Sequence, residues 1–320
     1  MNKLKAGVVG VGHLGYYHAR NLASLPTVEL VCIADADEQR AREVAEEFGA
    51  RAFSDYKELA PIVDAVSVAV PTSKHFEVTS YFLAKGKHVL LEKPIAATIE
   101  EADELIRLSG RHGVTLQIGH LERFNSAVQT LRERIRKPMF IESHRLAPFT
   151  PRGCDVNVVL DLMIHDLDII LSLLNSPVER IIDAVGVPLV SEHEDIANAR
   201  LLFGNGCVAN VTASRISAEP MRKIRIFQPY TYFSLDYALQ EIKCYHLKKG
   251  PIDWKNPQAL TFDEIHIEKE EPLKREVMAF ADSVLSGRPP AVTGSEAREA
   301  LEVATRIVEV IQSKKYEWTK

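Results

Sequence analysis

Cysteine is scarce in this 320-residue chain: Cys32, Cys154, Cys207 and Cys244 are the four it has, and no two stand at a metal-ligand spacing. That disfavours a zinc site or a disulfide scaffold, so the cysteines are read as reduced and structural and no metal is expected. Long apolar runs are missing as well. Nothing approaches the roughly 20 residues that span a bilayer, and residues 1–5 lead straight into an apolar strand without the cleavage pattern of a signal peptide. These absences predict a cytoplasmic protein that does not engage a membrane. A charge excess of one sign is also missing. Basic residues (39) and acidic residues (44) are interspersed and leave a formal net charge of -5, with no basic footprint for nucleic acid. Internal repeats are absent too, which excludes a solenoid.

What is present is an ordinary globular composition, 46% apolar and 26% charged, in a chain long enough for two domains of about 100 to 200 residues. In the first third, β-rich runs at 6–9, 30–34, 65–70, 88–91 and 115–118 alternate with helical segments. The runs are almost continuously apolar, as parallel strands buried on both faces are. Gly49 and Gly86 fit helix stops, and Thr98 with Glu101 forms a capping-box pattern. A βαβ series with right-handed crossovers gives a doubly wound parallel sheet, a Rossmann-type α/β domain over residues 1–120.

From 121 to 320 the pattern changes. A helix at 126–136 and a strand at 139–146 precede an amphipathic helix at 159–174. Beta-rich runs follow at 196–203, 207–216, 223–227, 230–235 and 242–246, with Gly204-Asn205-Gly206 as a hairpin turn. Helices at 273–286 and 295–313 end the chain and are placed to pack back on the first domain. This half reads as an α+β domain, an open, mainly antiparallel sheet with helices on one face, which serves substrate binding and oligomerisation. The uncovered face needs burial, so a homodimer or homotetramer is expected.

Gly10-Val11-Gly12-His13-Leu14-Gly15 follows a strand and opens a helix, the context in which G-x-G-x-x-G becomes a dinucleotide signal. The first glycine makes the turn, the second lets backbone amides approach a pyrophosphate, and the third packs helix on strand. Asp35, at the end of the second strand, is placed to accept hydrogen bonds from ribose hydroxyls and to repel a 2′-phosphate. That favours NAD over NADP, with Arg40 nearby pulling the other way. The alternative is a glycine turn that binds no dinucleotide.

Leu91-Glu92-Lys93-Pro94 opens at the carboxyl edge of the sheet, where doubly wound folds bind ligands. Lys93 there could hold a substrate hydroxyl and help take its proton, or it is a solvated surface charge. Asp161, His165 and Asp168 share one helical face, while Leu160, Ile164, Leu167, Leu171 and Leu174 supply an apolar stripe for the core. A carboxylate beside an imidazole suits acid/base work, although from spacing alone an exposed salt-bridging set is the simpler reading.

Taken in order, the glycine motif at 10–15, Val70-Pro71-Thr72 with His75, Glu92-Lys93-Pro94 and D-x-x-x-H-x-x-D at 161–168 resemble the glucose-fructose oxidoreductase, inositol dehydrogenase and rhizopine-catabolism family. The likeness covers essentially the whole chain. It implies an NAD(P)-dependent oxidoreductase in which Lys93, Asp161 and His165 group around the reacting hydroxyl. His165 would take the proton, Lys93 would orient the oxygen and stabilise its charge, Asp161 would tune them, and hydride would pass to nicotinamide C4. The resemblance also implies that His13, Leu14, Val70, Pro71, Thr72, His75, Glu92 and Lys93 join Gly10, Gly12, Gly15 and Asp35 around the cofactor.

Met163 stands where many free-polyol members carry glycine, and the run from Gly119 to Asn125 with Ile164-His165-Asp166 looks more like the branch that oxidises UDP-N-acetylglucosamine at C3. The expected reaction is therefore oxidation of a sugar-ring hydroxyl to a ketone, at C3 of a UDP-N-acetylhexosamine. The alternatives are an inositol or free-hexose dehydrogenase, and a dinucleotide-binding sensor or scaffold without turnover. Arg123 and Asn125 are expected at the substrate or, equally, in a hydrogen-bond set at the domain junction. Arg145 and Arg152 are expected to grip diphosphate oxygens through forked hydrogen bonds, with Asp168 also at the substrate.

Overall fold

The computed structural model describes residues 3–150, 156–247 and 260–314; Arg152 and Cys154 lie outside the described residues. The chain forms two compact units, Met1–Phe124 with Glu271–Glu299 and Asn125–Glu270 with Ala300–Lys320.

In the first unit the strands β1 (Leu4–Val9), β2 (Val28–Ala34), β3 (Arg51–Phe53), β4 (Ala65–Val68), β5 (His88–Glu92) and β6 (Leu116–Gly119) alternate with the helices α1 (His13–Ser24), α2 (Glu38–Phe48), α3 (Thr72–Ala84) and α4 (Ile99–His112). All pairings are parallel, in the order β3-β2-β1-β4-β5-β6. All four residues of β4 and of β6 are buried, which is why these strands read as unbroken apolar runs. The strand order reverses between β1 and β4, so their carboxyl ends diverge and open a crevice.

Helix ends follow local chemistry. Asp37 caps α2 by accepting from the Arg40 N–H, and α2 stops at Gly49 in the left-handed region. Thr98 caps α4 by accepting from the Glu101 N–H while Glu101 reaches back to the Ala97 N–H, which is the expected capping box shifted by one residue at its return bond. The strand β3 escaped the sequence pattern because it is three residues long and largely uncovered.

The second unit contains α5 (Ser126–Arg132), β7 (Phe140–Leu146), α6 (Ile164–Leu174), β8 (Val178–Val187), β9 (Ile196–Phe203), β10 (Val208–Ser214), β11 (Met221–Gln228), β12 (Thr231–Asp236), β13 (Glu241–Leu247) and β14 (Leu260–Ile265). Its eight-stranded sheet runs β14-β13-β12-β11-β7-β10-β9-β8 and is antiparallel except for the parallel pair β7 and β10. Ile141, Ser143 and Arg145 point from β7 to the helix-covered face, where Ile224, Ile226, Leu201 and Val211 meet Leu167, Ile170 and Leu171 of α6. Across the opposite face Phe140, Phe227, Tyr232, Tyr245 and Phe262 stack in a row over five neighbouring strands, at centroid spacings of 4.3–5.7 Å.

Two helices follow, α7 (Pro272–Ser286) and α8 (Gly294–Ser313). Leu273, Val277, Phe280 and Ala281 of α7 join the core of the first unit with Leu22 of α1 and Val8 of β1. The expected helix at 126–136 stops at Arg132, and the expected helix at 159–174 opens with a π-helical turn, Val159–Met163, before α6.

Candidate active site

The turn from β1 into α1 builds the first part of the site. Gly10 has φ +83°, and a Cβ there would meet the Ala69 carbonyl oxygen at 2.6 Å. A Cβ on Gly15 would sit 1.8 Å from the Gly10 oxygen, so this glycine is needed for the helix to begin where it does. Gly12, the N-cap of α1, has nothing within 4 Å of the same position and no side chain caps the helix. An uncapped first turn beside open space is a cradle for a pyrophosphate, with the helix dipole favouring its charge. The residues present therefore fit a dinucleotide. His13 and Leu14 are exposed at this edge.

Asp35 follows β2. Its carboxylate accepts from the Val11 N–H at 2.7 Å and the Asp37 N–H at 2.9 Å, which ties the acid to the glycine turn. The Arg40 guanidinium donates to the Val11 carbonyl at 3.0 Å, so it too is anchored at this edge.

Val70, Pro71 and Thr72 leave β4 and start α3, again without a side-chain cap. His75 lies beneath them rather than at the surface. It is buried, with its ring nitrogens 2.7 Å from the Pro94 carbonyl and 2.9 Å from the Val70 carbonyl, and burial lowers its pKa against the pull of those two oxygens. His75 thereby ties the Val70 loop to the turn after Lys93.

Glu92 is held in a similar way. It is buried, its Oε1 pairs with His18 Nε2 at 2.9 Å, and its Oε2 accepts from the Lys93 N–H at 3.2 Å. Ser67 Oγ lies 2.8 Å from the other nitrogen of His18. Burial pushes the Glu92 carboxyl up, but the hydrogen bond from His18 and the positive charges of His18 and Lys93 outweigh it and hold the group below the usual range. Lys93 itself is half-buried at the end of β5, and its peptide bond to Pro94 is cis.

In the second unit Asp161 lies in the π-helical turn and His165 in the first turn of α6, both half-buried. A π-turn widens the spacing of successive side chains and is a frequent feature of functional helices. Asp168 is buried, so the polar face expected from spacing is not uniformly exposed. Met163 is fully buried in the core of this unit, so it does not line an open site, and its difference from glycine says less about substrate than the sequence suggested.

Arg145 lies inside β7, within the strand expected at 139–146; it is buried and donates to Asp166 at 2.6 Å with its guanidinium 5.3 Å from the Tyr237 ring centre. Within the first unit Arg123 is buried and pairs with Glu296 at 2.9 Å. Within the second, Asn125 caps α5 by accepting from the Ala127 N–H and donates to the Tyr237 carbonyl. These two side chains do structural work in their own units. His18, Ser67 and Glu276 were not singled out from the sequence, although His18 and Glu276 fall in phase with the apolar positions of their helices.

Two family models match the chain: an oxidoreductase family with an NAD-binding Rossmann fold over residues 4–120, and the GFO/IDH/MocA C-terminal domain over residues 128–228. The UDP-N-acetylglucosamine 3-dehydrogenase of Acidithiobacillus ferrooxidans is 38% identical over 96% of this chain and 97% of its own. A solved structure of that enzyme superposes with a TM-score of 0.90, at 36% identity over 98% of this chain and 99% of that one. The scyllo-inositol 2-dehydrogenase (NAD(+)) of Bacillus subtilis is 28% identical over 94% of this chain and 92% of its own.

The glycine geometry separates folding from binding. Gly12→Ala places a methyl in open space, so its melting temperature should stay within about 2 °C of wild type, while NADH binding, followed by fluorescence titration, should weaken at least ~10-fold. Gly15→Ala should lose the native fold. Unchanged NADH affinity in Gly12→Ala would remove the cradle from its assigned role.

Proposed function

The chain belongs to the GFO/IDH/MocA oxidoreductase family, and from that premise we propose that it oxidises a sugar-ring hydroxyl to a ketone, at C3 of a UDP-N-acetylhexosamine, with NAD as the acceptor. The observation that carries this reading is the 38% identity to a UDP-N-acetylglucosamine 3-dehydrogenase, sustained over 96% of the chain, against 28% for the inositol 2-dehydrogenases of Bacillus subtilis and Thermotoga maritima. Asp35 supports NAD over NADP, because a 2′-phosphate would meet its carboxylate, and Arg40 is held on the Val11 carbonyl. The absence of any helix long and apolar enough to cross a membrane, among the described residues, supports a cytoplasmic setting.

Oxidation of the alcohol removes one proton and one hydride. The bound dinucleotide supplies the hydride acceptor. The remaining work falls to the protein. His165 takes the hydroxyl proton, Lys93 donates a hydrogen bond to the same oxygen and stabilises its developing negative charge, and Asp161 orients and tunes them. Arg145, which also pairs with Asp166, and Arg152 are the arginines proposed for the diphosphate oxygens.

The oligomer is read from the aromatic row on the sheet face opposite α6. We assign that face to contact with a second copy, which makes the enzyme a homodimer or homotetramer. Light scattering at micromolar concentration should return a multiple of the 35.8 kDa chain, and a monomer would refute the assignment.

Lys93→Met and His165→Ala should each lower kcat by ~10²-fold or more with NAD affinity nearly unchanged, since general acid/base groups contribute ~10² to 10⁴. Near-wild-type turnover in both would assign the chain to dinucleotide binding without catalysis. For substrate, kcat/KM is compared for UDP-N-acetylglucosamine, N-acetylglucosamine and myo-inositol with NAD and with NADP at fixed pH. The nucleotide sugar with NAD should lead, and loss of the nucleotide should lower kcat as well as raise KM, because remote binding energy positions the ring. Inositol turning over as fast as the nucleotide sugar would move the enzyme to the polyol side of the family.

A further inference from the structure

Behind Lys93 the first unit buries a cluster with an unusual charge balance. His18 on α1, Glu92 on β5 and Glu276 on α7 are all buried, and their potential ligand atoms lie within 4.8 Å of one another. Glu92 is well provided for, by His18 and by the Lys93 N–H. Glu276 is not: it is 0% exposed and neither of its carboxyl oxygens has a hydrogen-bond partner. A buried, unsatisfied carboxyl next to a buried carboxylate is destabilising by itself, and a glutamine of the same size would avoid the electrostatic part of that cost.

The groups on elements packed against α7 define what Glu276 responds to. They are His18 and Arg20 on α1, Glu92 on β5 with Lys93 after it, and His120, Glu122 and Arg123 at the end of β6 and in the short 3-10 turn Leu121–Phe124. Arg20 pairs with Glu271 and Arg123 with Glu296. His18 and Glu92 are the groups in the cluster itself.

We propose that Glu276 is a positioning residue that acts on Lys93 through Glu92. As the neutral acid, with its carboxyl within 4.8 Å of the Glu92 carboxylate, it leaves Glu92 seated between His18 and the Lys93 amide and keeps a second buried negative charge away from the lysine. The role of Lys93 rests on the reading given above. Burial and the neighbouring Glu92 charge push the Glu276 carboxyl well above the usual range, which agrees with a proton held at neutral pH, while Glu92 is held down and ionised. Two carboxyl groups this close cannot both ionise cheaply, and the environment has assigned the proton to the one without a cationic partner.

The protonation state has a consequence for stability. The folded protein holds a proton that the unfolded chain releases above the ordinary glutamate value, so stability falls as pH rises between that value and the raised folded one. Glu276→Gln removes this loss. Its melting temperature should exceed that of wild type, with the gap widening from about pH 5 to about pH 8.

The decisive experiment combines that measurement with turnover and infrared spectroscopy on the full-length protein. Glu276→Gln, which keeps a neutral donor, should retain kcat within ~3-fold at neutral pH, whereas Glu276→Ala should lose up to ~10²-fold in kcat with little change in KM for the dinucleotide. The wild-type spectrum should carry the carbonyl band of a protonated buried acid at neutral pH, sensitive to deuterium and absent from Glu276→Gln. Wild-type turnover in Glu276→Ala, equal losses in both variants, or no acid band would overturn the proposal. So would a stoichiometric divalent metal that is lost in Glu276→Gln, since the cluster would then be an ion site. If Lys93→Met retains turnover, the catalytic reading has failed, and the infrared band and the pH-dependent melting gap still decide whether Glu276 holds the proton.

Discussion

The turn between β1 and α1 is the constraint on which the rest of the first unit depends. The Gly10 carbonyl lies so close to Gly15 that a single methyl group would overlap it, so the helix can start there only because both positions lack a side chain. Starting at that point leaves Gly12 and the first turn at the open edge of the sheet. It also sets the rotational phase of α1, with Gly15, His18, Ala19 and Leu22 facing inward. A histidine facing a parallel sheet must find polar partners, and His18 finds Ser67 on β4 and Glu92 on β5. The same turn that shapes the dinucleotide cradle therefore also fixes the polar group behind Lys93.

The parallel sheet was legible because its strands are buried on both faces and read as continuous apolar runs, and the hairpin at Gly204-Asn205-Gly206 because Gly206 needs positive φ. Elements with little burial, such as β3, leave no such trace. The π-helical turn at Val159–Met163 was invisible for another reason: its residues suit an α-helix equally well, and tertiary packing decides between them. The buried polar residues escaped because polarity was taken as a sign of exposure. Phase could have found them. Glu276 stands with Leu273, Val277 and Phe280 at helical spacing, as His18 stands with Gly15, Ala19 and Leu22.

Strand parity likewise tells which face Arg145 takes. Counting from Ile141, every second residue of β7 faces the core, and Arg145 falls in that register with Ser143. An arginine there requires an internal counter-charge, and Asp166 supplies it, with Ser143 Oγ donating to the same carboxylate. Removing one partner of such a pair typically costs about 3–5 kcal/mol, because the other charge is left buried alone. The Arg145–Asp166 pair therefore helps hold α6 against its sheet, and with α6 the position of His165.

Buried charges are paired in both units, and one buried carboxyl in the first is not. In the second unit Asp166 faces Arg145 and Asp195 faces Arg215, and Asp195 also accepts from three consecutive backbone N–H groups, which help hold its carboxyl down at about 2 despite burial. Such matched pairs organise structure. In the first unit Glu92 is matched by His18, but Glu276 has no cationic partner among the described residues and is satisfied only by keeping its proton. A group held in that condition can still change state, and it sits one residue pair away from the lysine at the end of β5. The uncompensated carboxyl is thus a buried group whose location points to chemistry rather than to folding, since packing alone would have been better served by a side chain that cannot ionise.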